Sequence, residues 1–403
     1  MGQRGESGFC RCVSHEWPAP VAFNAAQEIY TPGAARPARL TIPALGRTAK
    51  AMAGGSLIET VTDLSVQSLD RYDDIIDVRS PAEFAEDHVP GAINLPVLDD
   101  EERARVGTIY KQVSHFEARR VGAGLVAANI GRHLGAALSG KAADYNPLIY
   151  CWRGGMRSGA MATILSRVGW RCGLLKGGYR SWRRHVVAAL REEGALLPMV
   201  LIDGQTGTAK TEIIRRLMAQ GAPAIDLEGL AAHRGSVFGR MGAAQPAQKG
   251  FESRLWDQIR RFDPDTPIIA EAESSTIGRL HIPRRLWDSM QAAPRIEITA
   301  GVETRARYLV TAYSDLTEDK EAILTAINRL RSHHSKAQIA AWGEMAESCA
   351  YEALAADLAR QHYDPAYLRS RKTGDEIKQI ALPDTSPEAL DKAARQVMEI
   401  AGG

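Results

Sequence analysis

This sequence has few cysteines and no long apolar run, the features that define disulfide-rich, zinc-binding and membrane proteins. It has only five cysteines in 403 residues, and their spacing matches neither a zinc site nor a disulfide framework. They are Cys10, Cys12, Cys151, Cys172 and Cys349. No apolar run is long enough to span a bilayer, and the N-terminus lacks the apolar core of a signal peptide. We therefore expect a cytoplasmic protein in a reducing compartment, with no membrane partner and no zinc site.

The net charge is also close to zero, because 50 Lys and Arg against 48 Asp and Glu leave a net charge of +2. This balance excludes nucleic-acid binding through a uniformly basic surface, so any such site must be a local patch. The chain is long enough for two or three domains. Residues 1–52 are rich in Pro, Ala, Gly and Arg without clear periodicity, and we expect them to be disordered or loosely attached.

The most informative stretch is residues 150–158, where an apolar strand at 147–150 leads into a cysteine and a loop with two adjacent glycines. Backbone N–H groups in such a loop, together with the N-terminus of the next helix, form a cradle for an anion. Flanking arginines add positive charge, and these surroundings predict a thiol with a lowered pKa. We interpret Cys151, Arg153 and Arg157 as catalytic residues. The alternative is a buried structural cysteine at a strand end.

Strands and helices alternate on both sides of this loop, which predicts a parallel α/β sheet over 57–194. The loop, with DVR at 77–79 and HVPGAIN at 88–94, resembles a rhodanese domain. In that family the loop cysteine carries a chalcogen as a persulfide or related adduct. The Cys151 and Arg157 spacing also resembles the cysteine phosphatases, although these usually have His where Tyr150 stands. Cys172 is interpreted as a core residue of its strand.

A second phosphate-binding motif, GQTGTAKT at 204–211, follows an apolar strand and precedes a helix. This is the context of a P-loop, in which the lysine reaches terminal phosphates and the Thr after it holds Mg²⁺. The predicted diphosphate-binding residues here are Gly204, Thr206, Gly207, Thr208, Lys210 and Thr211. Ala209 stands where such loops have glycine, and its methyl group narrows or strains the loop. The alternative is an ordinary strand-to-helix turn.

An apolar strand over 266–274 ends in two carboxylates, Glu271 and Glu273. At that position one of them would orient Mg²⁺ or a water beside the P-loop, while the other caps a helix; the sequence does not choose between them. Both are therefore included in the diphosphate site. Clustered basic residues near these motifs are candidates for contacts with RNA or a diphosphate. They are His233, Arg234, Arg240, Arg279 and His281.

From about residue 301 the apolar positions follow helical spacing, over 302–312, 318–331, 336–345 and 351–360. An alternating segment at 376–382 predicts a strand that returns to the sheet, and 387–400 predicts a last helix. The predicted fold class is therefore α/β. It consists of an N-terminal rhodanese-like parallel-sheet domain, 57–194, and a P-loop NTPase-like domain, 198–403, whose helical extension starts near 301.

Several motifs in this order identify a family. They are VGTIYKQ at 106–112, CWRGGMRS at 151–158, GQTG at 204–207, HRGS at 233–236, ES and IGR at 273–279, and HYDPAY at 362–367. Together they resemble the bacterial tRNA 2-selenouridine synthase family, from about residue 57 to the C-terminus. The resemblance implies a cytoplasmic transferase that acts on tRNA.

In that family the wobble 2-thiouridine is first S-geranylated from geranyl diphosphate, and selenium from selenophosphate then replaces the S-geranyl group. The resemblance thus implies tRNA and a selenophosphate-producing enzyme as partners. It implies no tightly bound cofactor, with Mg²⁺ as an option at the P-loop. This order of steps is chemically consistent, because the sulfur of 2-thiouridine is a poor leaving group and its alkylation makes it a good one. Cys151 either takes selenium covalently or positions it.

Three other functions remain open from the sequence. A cysteine phosphatase fused to a kinase-like domain would need a general-acid aspartate near the cysteine loop. A rhodanese-type tRNA sulfurtransferase would use thiosulfate or a carrier persulfide and need no prenyl diphosphate. A protein that only binds RNA would tolerate the loss of Cys151.

Overall fold

Two parallel β-sheets organise the chain in this computed structural model, which describes residues 56–191, 195–236, 238–239, 244–370 and 378–402. The first part of the chain contains, in order, β1 (Ile58–Val61), α1 (Val66–Leu69), β2 (Ile75–Asp77), α2 (Pro81–Glu86), β3 (Ala92–Asn94), α3 (Asp100–Gln112), α4 (His115–Gly135), β4 (Leu148–Tyr150), α5 (Met156–Val168), β5 (Cys172–Leu175) and α6 (Tyr179–Arg191).

The second part continues with β6 (Met199–Asp203), α7 (Lys210–Ala219), β7 (Ala224–Ile225), α8 (Leu227–Ala231), α9 (Gln248–Ile259), β8 (Ile268–Glu271), β9 (Thr276–Ile277), β10 (Leu280–His281), α10 (Arg284–Ala292), β11 (Arg295–Ala300), α11 (Val302–Ala312), α12 (Ser314–Thr317), α13 (Lys320–Arg329), a 3-10 helix (Leu330–Ser332), α14 (Lys336–Glu347), α15 (Tyr351–Leu358), a π-helix (Ala359–Tyr363), α16 (Asp364–Ser370), β12 (Lys378–Leu382) and α17 (Pro387–Gly402).

The first sheet has the strand order β1-β5-β4-β2-β3, and its neighbouring strands are parallel. β2 and β4 are buried along their whole length, which explains why their sequences are apolar runs rather than alternating patterns. Ile76 lies beside Ile149 in this register. Cys151 therefore follows a central strand at the carboxyl edge of the sheet, where open α/β folds place their sites.

The second sheet has the order β12-β11-β6-β8-β7, again with parallel neighbours. The phosphate-loop motif follows the central strand β6, and the carboxylates of β8 lie on the neighbouring strand. β12 pairs with β11, with Ile380 opposite Ile298, so the predicted return of the chain to the sheet is confirmed. The predicted α/β class with two successive parallel sheets is confirmed as well.

A helical region from α11 to α16 follows the last central strand, as the apolar spacing predicted. It has its own apolar core, in which Ile327, Trp342 and Leu358 are buried. His334 lies in the turn before α14, and the structure brings His362 against it, with 3.0 Å between His334 Nε2 and His362 Nδ1. The sequence did not predict this contact, because the two residues are 28 positions apart.

The two sheets are joined through buried polar contacts between α6, α9 and the end of α2, within one compact unit. Trp182 Nε1 donates a hydrogen bond to Ser253 Oγ at 3.1 Å. Ser253 Oγ and Tyr179 Oη both donate to Asp87 Oδ2, at 3.0 and 2.7 Å. The predicted domain limits of 57–194 and 198–403 stay predictions, and the prediction for residues 1–52 lies outside the described residues.

Candidate active site

Cys151 lies directly after β4, and its side chain is 4% exposed. Two hydrogen bonds reach its sulfur. The backbone N–H of Gly155 donates to Sγ at 3.3 Å, and the hydroxyl of Ser158 donates at 3.2 Å. Both donors belong to the first turn of α5 or the residue before it, so the positive N-terminal end of that helix faces the sulfur.

These donors decide the protonation of the thiol. Burial raises the pKa of Cys151, but hydrogen bonds from the Ser158 hydroxyl and from backbone N–H groups outweigh it, and the pKa lies below its ordinary value. Cys172 provides a contrast within the same sheet. It is buried in β5, and burial raises its pKa to about 11. Cys172 is thus a core residue, as expected, whereas Cys151 has the surroundings of a nucleophile.

Gly154 in the cysteine loop and Gly178 in the turn between β5 and α6 allow these two segments to pack tightly against each other. Gly154 has φ of +65°, and a Cβ there would lie 2.6 Å from the carbonyl oxygen of Leu175. Across the same contact, the backbone N–H of Tyr179 donates to the carbonyl of Cys151 at 2.8 Å. No residue with a side chain fits at Gly154, which explains the first glycine of the pair, whereas a Cβ on Gly155 would meet no atom within 4 Å.

The two arginines of the motif lie in different surroundings. Arg157 is half-buried and donates from Nη1 to Glu83 Oε2 at 2.9 Å. Burial raises the pKa of Glu83, but the ion pair with Arg157 and the charge of Arg103 hold it below its usual value. Arg153 is exposed at the loop. The structure therefore places one motif arginine in an ion pair with α2 and leaves the other directed to solvent.

A buried ion pair supports the loop from below, and sequence reasoning did not assign it a role. Arg79 is 1% exposed, and its Nη2 lies 2.6 Å from Asp77 Oδ2. The same guanidinium lies over the ring of Tyr179, 4.0 Å from its centroid. Because Tyr179 begins α6 and binds the Cys151 carbonyl, the pair fixes the turn on which the cysteine loop rests. The DVR motif at 77–79 was the sequence signal that could have identified this ion pair.

The P-loop residues are held by contacts within the loop. Lys210 Nζ donates to the carbonyl of Gly204 at 2.7 Å and lies 3.4 Å from that of Gln205. Thr208 is fully buried and donates to the carbonyl of Gln205. Thr211 Oγ1 donates to Glu228 Oε2 at 2.8 Å. The lysine amine and the threonine hydroxyl thus lie on the inner side of a strand–loop–helix turn, as a phosphate cradle requires.

Ala209 is the residue before the P-loop lysine, and it adopts a left-handed backbone with φ of +58° and ψ of +28°. A residue with a Cβ pays about 1–2 kcal/mol for this conformation. The strain expected at this position from the missing glycine is therefore seen in the backbone. The loop keeps its shape despite the methyl group, which is 3% exposed and packs in the core of the second sheet.

The two carboxylates after β8 differ in their contacts. Glu271 is fully buried, and its Oε2 accepts from the backbone N–H of Leu227, the first residue of α8. It therefore caps a helix, although this helix precedes it in the chain rather than following it. Glu273 lies close to Lys210, whose charge lowers its pKa, while burial is the larger effect and raises it. Of the two, Glu273 faces the loop.

Glu228 completes this cluster, and the sequence analysis missed it. It accepts the hydrogen bond of Thr211. Burial and the neighbouring charge of Glu273 raise the pKa of Glu228 to about 7, against the opposing effects of Thr211 and Lys210. The sequence signal that could have identified Glu228 is its position just after β7, since parallel strands bring their carboxyl ends to one edge of the sheet. β7 is only two residues long, and so short a strand has no periodicity.

Arg305 of α11 anchors the helical region to the P-loop. Its Nη1 donates to the carbonyl of Thr206 at 3.1 Å and to Asp364 Oδ1 at 2.9 Å. A Cβ on Gly207 would lie 3.0 Å from the side chains of Arg305 and Leu309. The glycine therefore lets the loop approach α11 closely. Asp364 belongs to the HYDPAY motif, whose second residue lines the pocket described next.

An apolar pocket of about 90 Å³ opens beside this loop. Thr206, Ser236 and Thr317 are polar residues of its lining, and α11, α12, α13 and α15 contribute its walls. The apolar lining includes Phe238, Leu309, Val310, Leu354, Leu358 and Tyr363. The structure thus combines a phosphate-type loop with an adjoining hydrophobic pocket, an arrangement suited to a ligand with an anionic head and an apolar tail.

Two family profiles and several known proteins match this chain. Residues 197–326 match the family profile "tRNA 2-selenouridine synthase AAA domain", and residues 62–185 match "Rhodanese-like domain". The tRNA 2-selenouridine synthase of Chromohalobacter salexigens is 33% identical over 319 residues, which cover 73% of this chain and 86% of that protein. The chain belongs to the tRNA 2-selenouridine synthase family. The family resemblance inferred from the motifs is confirmed.

Other relatives of the same name match a shorter stretch. The tRNA 2-selenouridine synthase of Alcanivorax borkumensis is 39% identical over 242 residues, or 59% of this chain and 66% of that protein. For the Shewanella denitrificans protein of this name, the figures are 36% identity over 245 residues, 60% of this chain and 65% of the relative. In these two alignments the chain spans slightly less than two thirds of the relative's length.

Within this family member, the basic residues proposed to contact RNA or substrate fall into two places. The guanidinium of Arg234 lies over the ring of Tyr313, 4.5 Å from its centroid, and the backbone of this segment approaches Glu273. Arg279 and His281 are exposed on the β9–β10 hairpin. Gln245 joins the hairpin to the end of α8 through hydrogen bonds to the carbonyls of residues 231 and 277.

His233 and Arg240 are the other two basic residues predicted for this patch. His233 accepts a hydrogen bond at Nδ1 from the backbone N–H of Gly235, which fixes its ring beside the phosphate-loop cluster. Arg240 lies outside the described residues. Within the described ranges, the structure has no group of three or more His, Cys, Asp or Glu side chains arranged to hold a metal ion. No helix in the same ranges is long and apolar enough to cross a membrane.

Proposed function

We propose that this protein is a transferase that converts the wobble 2-thiouridine of tRNA to 2-selenouridine through an S-geranyl intermediate. Membership of the family supports the selenation of tRNA, which its relatives carry in their names. The observation that carries the geranyl step is the apolar pocket beside Thr206 of the P-loop. A geranyl chain buried there gains about 25 cal/mol for each Å² of apolar surface removed from water.

In the first step the P-loop holds the diphosphate of geranyl diphosphate. Backbone N–H groups of 204–208 and the ammonium of Lys210 stabilise the charge of the departing diphosphate. The sulfur of 2-thiouridine attacks C1 of the geranyl group, so that a carbon–sulfur bond forms and the carbon–oxygen bond to diphosphate breaks. The apolar lining around Leu309 keeps water from the allylic carbon, whose positive charge would otherwise be quenched.

In the second step selenium from selenophosphate adds to C2 of the uracil ring, and geranyl thiol leaves with the former sulfur. Water takes the phosphoryl group of selenophosphate as phosphate. The cysteine loop provides the cradle for this small tetrahedral anion, with Arg153 exposed at its mouth. The lowered pKa of Cys151 favours the thiolate, which positions selenophosphate for this transfer and does not itself change oxidation state.

Mg²⁺ at the P-loop stays a proposal. Mg²⁺ is commonly held by one or two protein groups and by substrate phosphates rather than by a cage of side chains. Thr211 and Glu228 are the groups that would hold it here, and the ion would neutralise diphosphate charge. Glu271 Oε1 is buried with no hydrogen-bond partner in the described part of the chain, which leaves a carboxylate oxygen available in this cluster. A cytoplasmic location and a selenophosphate-producing enzyme as donor belong to the same proposal.

The test is nucleoside analysis of tRNA from cells that lack this gene, grown with selenium and complemented with defined variants. Wild-type protein is expected to restore both S-geranyl-2-thiouridine and 2-selenouridine. Cys151→Ser is expected to restore the geranylated nucleoside but not the selenated one, with tRNA binding nearly intact. Unchanged 2-selenouridine with Cys151→Ser removes the thiol from the mechanism. If thiosulfate-dependent thiolation is restored instead, the protein is a tRNA sulfurtransferase.

A further inference from the structure

The apolar pocket has two ends that the hydrogen bonds define. Near the P-loop, Arg305 pairs with Asp364 and donates to the Thr206 carbonyl. At the other end, the Tyr351 hydroxyl donates to the carbonyl of Thr317 at 3.2 Å. Since residue 305 pairs with 364 and residue 317 with 351, the segments 305–317 and 351–364 run antiparallel. The pocket lies between them, with Thr206 of the P-loop in its lining at one end and Tyr351 in its lining at the other.

One face of α15 lines the whole distance between these ends. Tyr351, Leu354, Ala355 and Leu358 all line the pocket, and their i, i+3, i+4, i+7 spacing is that of a single helix face. Seven residues separate Leu358 from Tyr351, which at about 1.5 Å per residue corresponds to about 10 Å along the helix. The opposite wall offers a similar depth, from Leu309 beside Gly207 to Thr317.

This depth can be compared with prenyl chains of different length. Three bonds of an extended chain span about 3.8 Å, so the eight main-chain carbons of a geranyl group span about 9 Å. The twelve main-chain carbons of a farnesyl group span about 14 Å on the same basis. A geranyl chain with its diphosphate on the P-loop therefore ends near Tyr351, whereas a farnesyl chain would have to pass through it.

We propose that Tyr351, held across the end of the pocket by its hydrogen bond to Thr317, determines prenyl specificity by excluding chains longer than ten carbons. This inference rests on the proposed function, because it assigns the pocket to a prenyl diphosphate. Ala355, one helical turn further towards the P-loop, lines the middle of the pocket and leaves room for the second isoprene unit. Substitution at these two positions should move the chain-length preference in opposite directions.

The experiment measures binding of dimethylallyl, geranyl and farnesyl diphosphate to the full-length protein by calorimetry, and transfer to 2-thiouridine tRNA by mass spectrometry. Wild-type protein is expected to prefer geranyl over farnesyl diphosphate at least tenfold. Tyr351→Ala is expected to reduce that preference at least tenfold through tighter farnesyl binding, with dimethylallyl binding unchanged. Tyr351→Phe keeps the ring without the hydroxyl and is the matched control, for which we expect a preference between the other two.

Ala355→Phe places a ring in the middle of the pocket and shortens it. This variant provides a second measurement that does not depend on enlarging the pocket end. We expect this variant to lose geranyl binding at least tenfold and to retain dimethylallyl diphosphate. A geranyl preference that survives in both Tyr351→Ala and Ala355→Phe overturns the role of this pocket end. If wild-type protein binds inorganic pyrophosphate but none of the three prenyl diphosphates more tightly, the proposed geranyl site itself fails, and the two failures are thereby distinguished.

Discussion

At the scale of single residues, the chemistry of the cysteine loop depends on donors that lie close to the sulfur. Cys151 and Cys172 belong to the same sheet and are both buried, yet their pKa values shift in opposite directions. The difference is the Ser158 hydroxyl and the loop N–H groups, which donate to the sulfur of Cys151, whereas the thiol of Cys172 is itself the donor in its hydrogen bond to the Trp170 carbonyl at 3.8 Å. Hydrogen bonds to a charged group are worth about 1.5–3 kcal/mol each.

Ser158→Ala tests this account. Removal of one donor destabilises the thiolate, so the pKa of Cys151 should rise by about one unit or more, given about 1.4 kcal/mol per unit. The rate of Cys151 alkylation by iodoacetamide, followed on the peptide by mass spectrometry across pH 5–10, should shift to higher pH. Since the thiolate is the reactive form, alkylation of wild-type protein persists at lower pH than in the variant. Cys349, which is partly exposed, serves as an internal control, and identical profiles for both proteins would contradict the account.

At the scale of elements, the P-loop and the helix after it distinguish an ATPase from a prenyltransferase. Both functions need the Lys210 ammonium on a diphosphate, but an ATPase must also orient a water in line with the terminal phosphate. Here Ala209 adopts a left-handed backbone conformation within the loop, and the pocket beside Thr206 is lined mainly by apolar residues. These features favour an isoprenoid over a nucleotide.

Lys210→Ala is expected to abolish geranylation of thio-tRNA, because the departing diphosphate loses its cation. Selenation of tRNA that has already been geranylated should survive in part, since we propose that this step uses the Cys151 loop on the other sheet. The two reactions are measured separately by nucleoside mass spectrometry, with Cys151→Ser as the reciprocal control. Vigorous ATP turnover by the intact protein, with no prenyl transfer from geranyl diphosphate, would falsify the assignment of this element.

At the scale of the whole molecule, the two sites lie on separate sheets that share a buried junction. Asp87 accepts hydrogen bonds from Tyr179 on one side and from Ser253 on the other, and Lys249 pairs with Glu86 at 2.6 Å. Burial raises the pKa of Asp87, against the hydrogen bonds that lower it. The junction thus holds the cysteine loop and the P-loop side in one compact unit.

Binding of tRNA should weaken steeply as the salt concentration rises. Because the net charge is only +2, the tRNA phosphates must be contacted by local basic groups, and each such contact releases counterions from the RNA. For about four phosphate contacts, the association constant should fall on the order of 100-fold between 50 and 200 mM salt. Arg279→Ala should reduce the slope of log K against log salt by about one, measured by filter binding. Arg132→Ala, an exposed arginine on α4, is the matched control. A flat response in wild-type protein would contradict backbone-dominated binding.

The sequence by itself determined the class of fold and the two loops. Apolar strands that end in a Gly-rich loop and are followed by a helix are local patterns, so β4 with Cys151 and β6 with Lys210 were identifiable without tertiary information. The alternating segment before α17 likewise predicted β12. Each of these signals depends on residues within about ten positions of one another, where local propensity and periodicity dominate.

Only the tertiary structure decided which residues complete each site. Glu228 reaches Thr211 from a two-residue strand, Glu83 reaches Arg157 from 74 positions away, and the pocket is formed by helices between residues 302 and 363 that close over Thr206. Such contacts depend on strand order and helix packing, which no local pattern encodes. The choice between Glu271 and Glu273 was open for the same reason, because burial and the position of Lys210 distinguish them and both are properties of the folded chain.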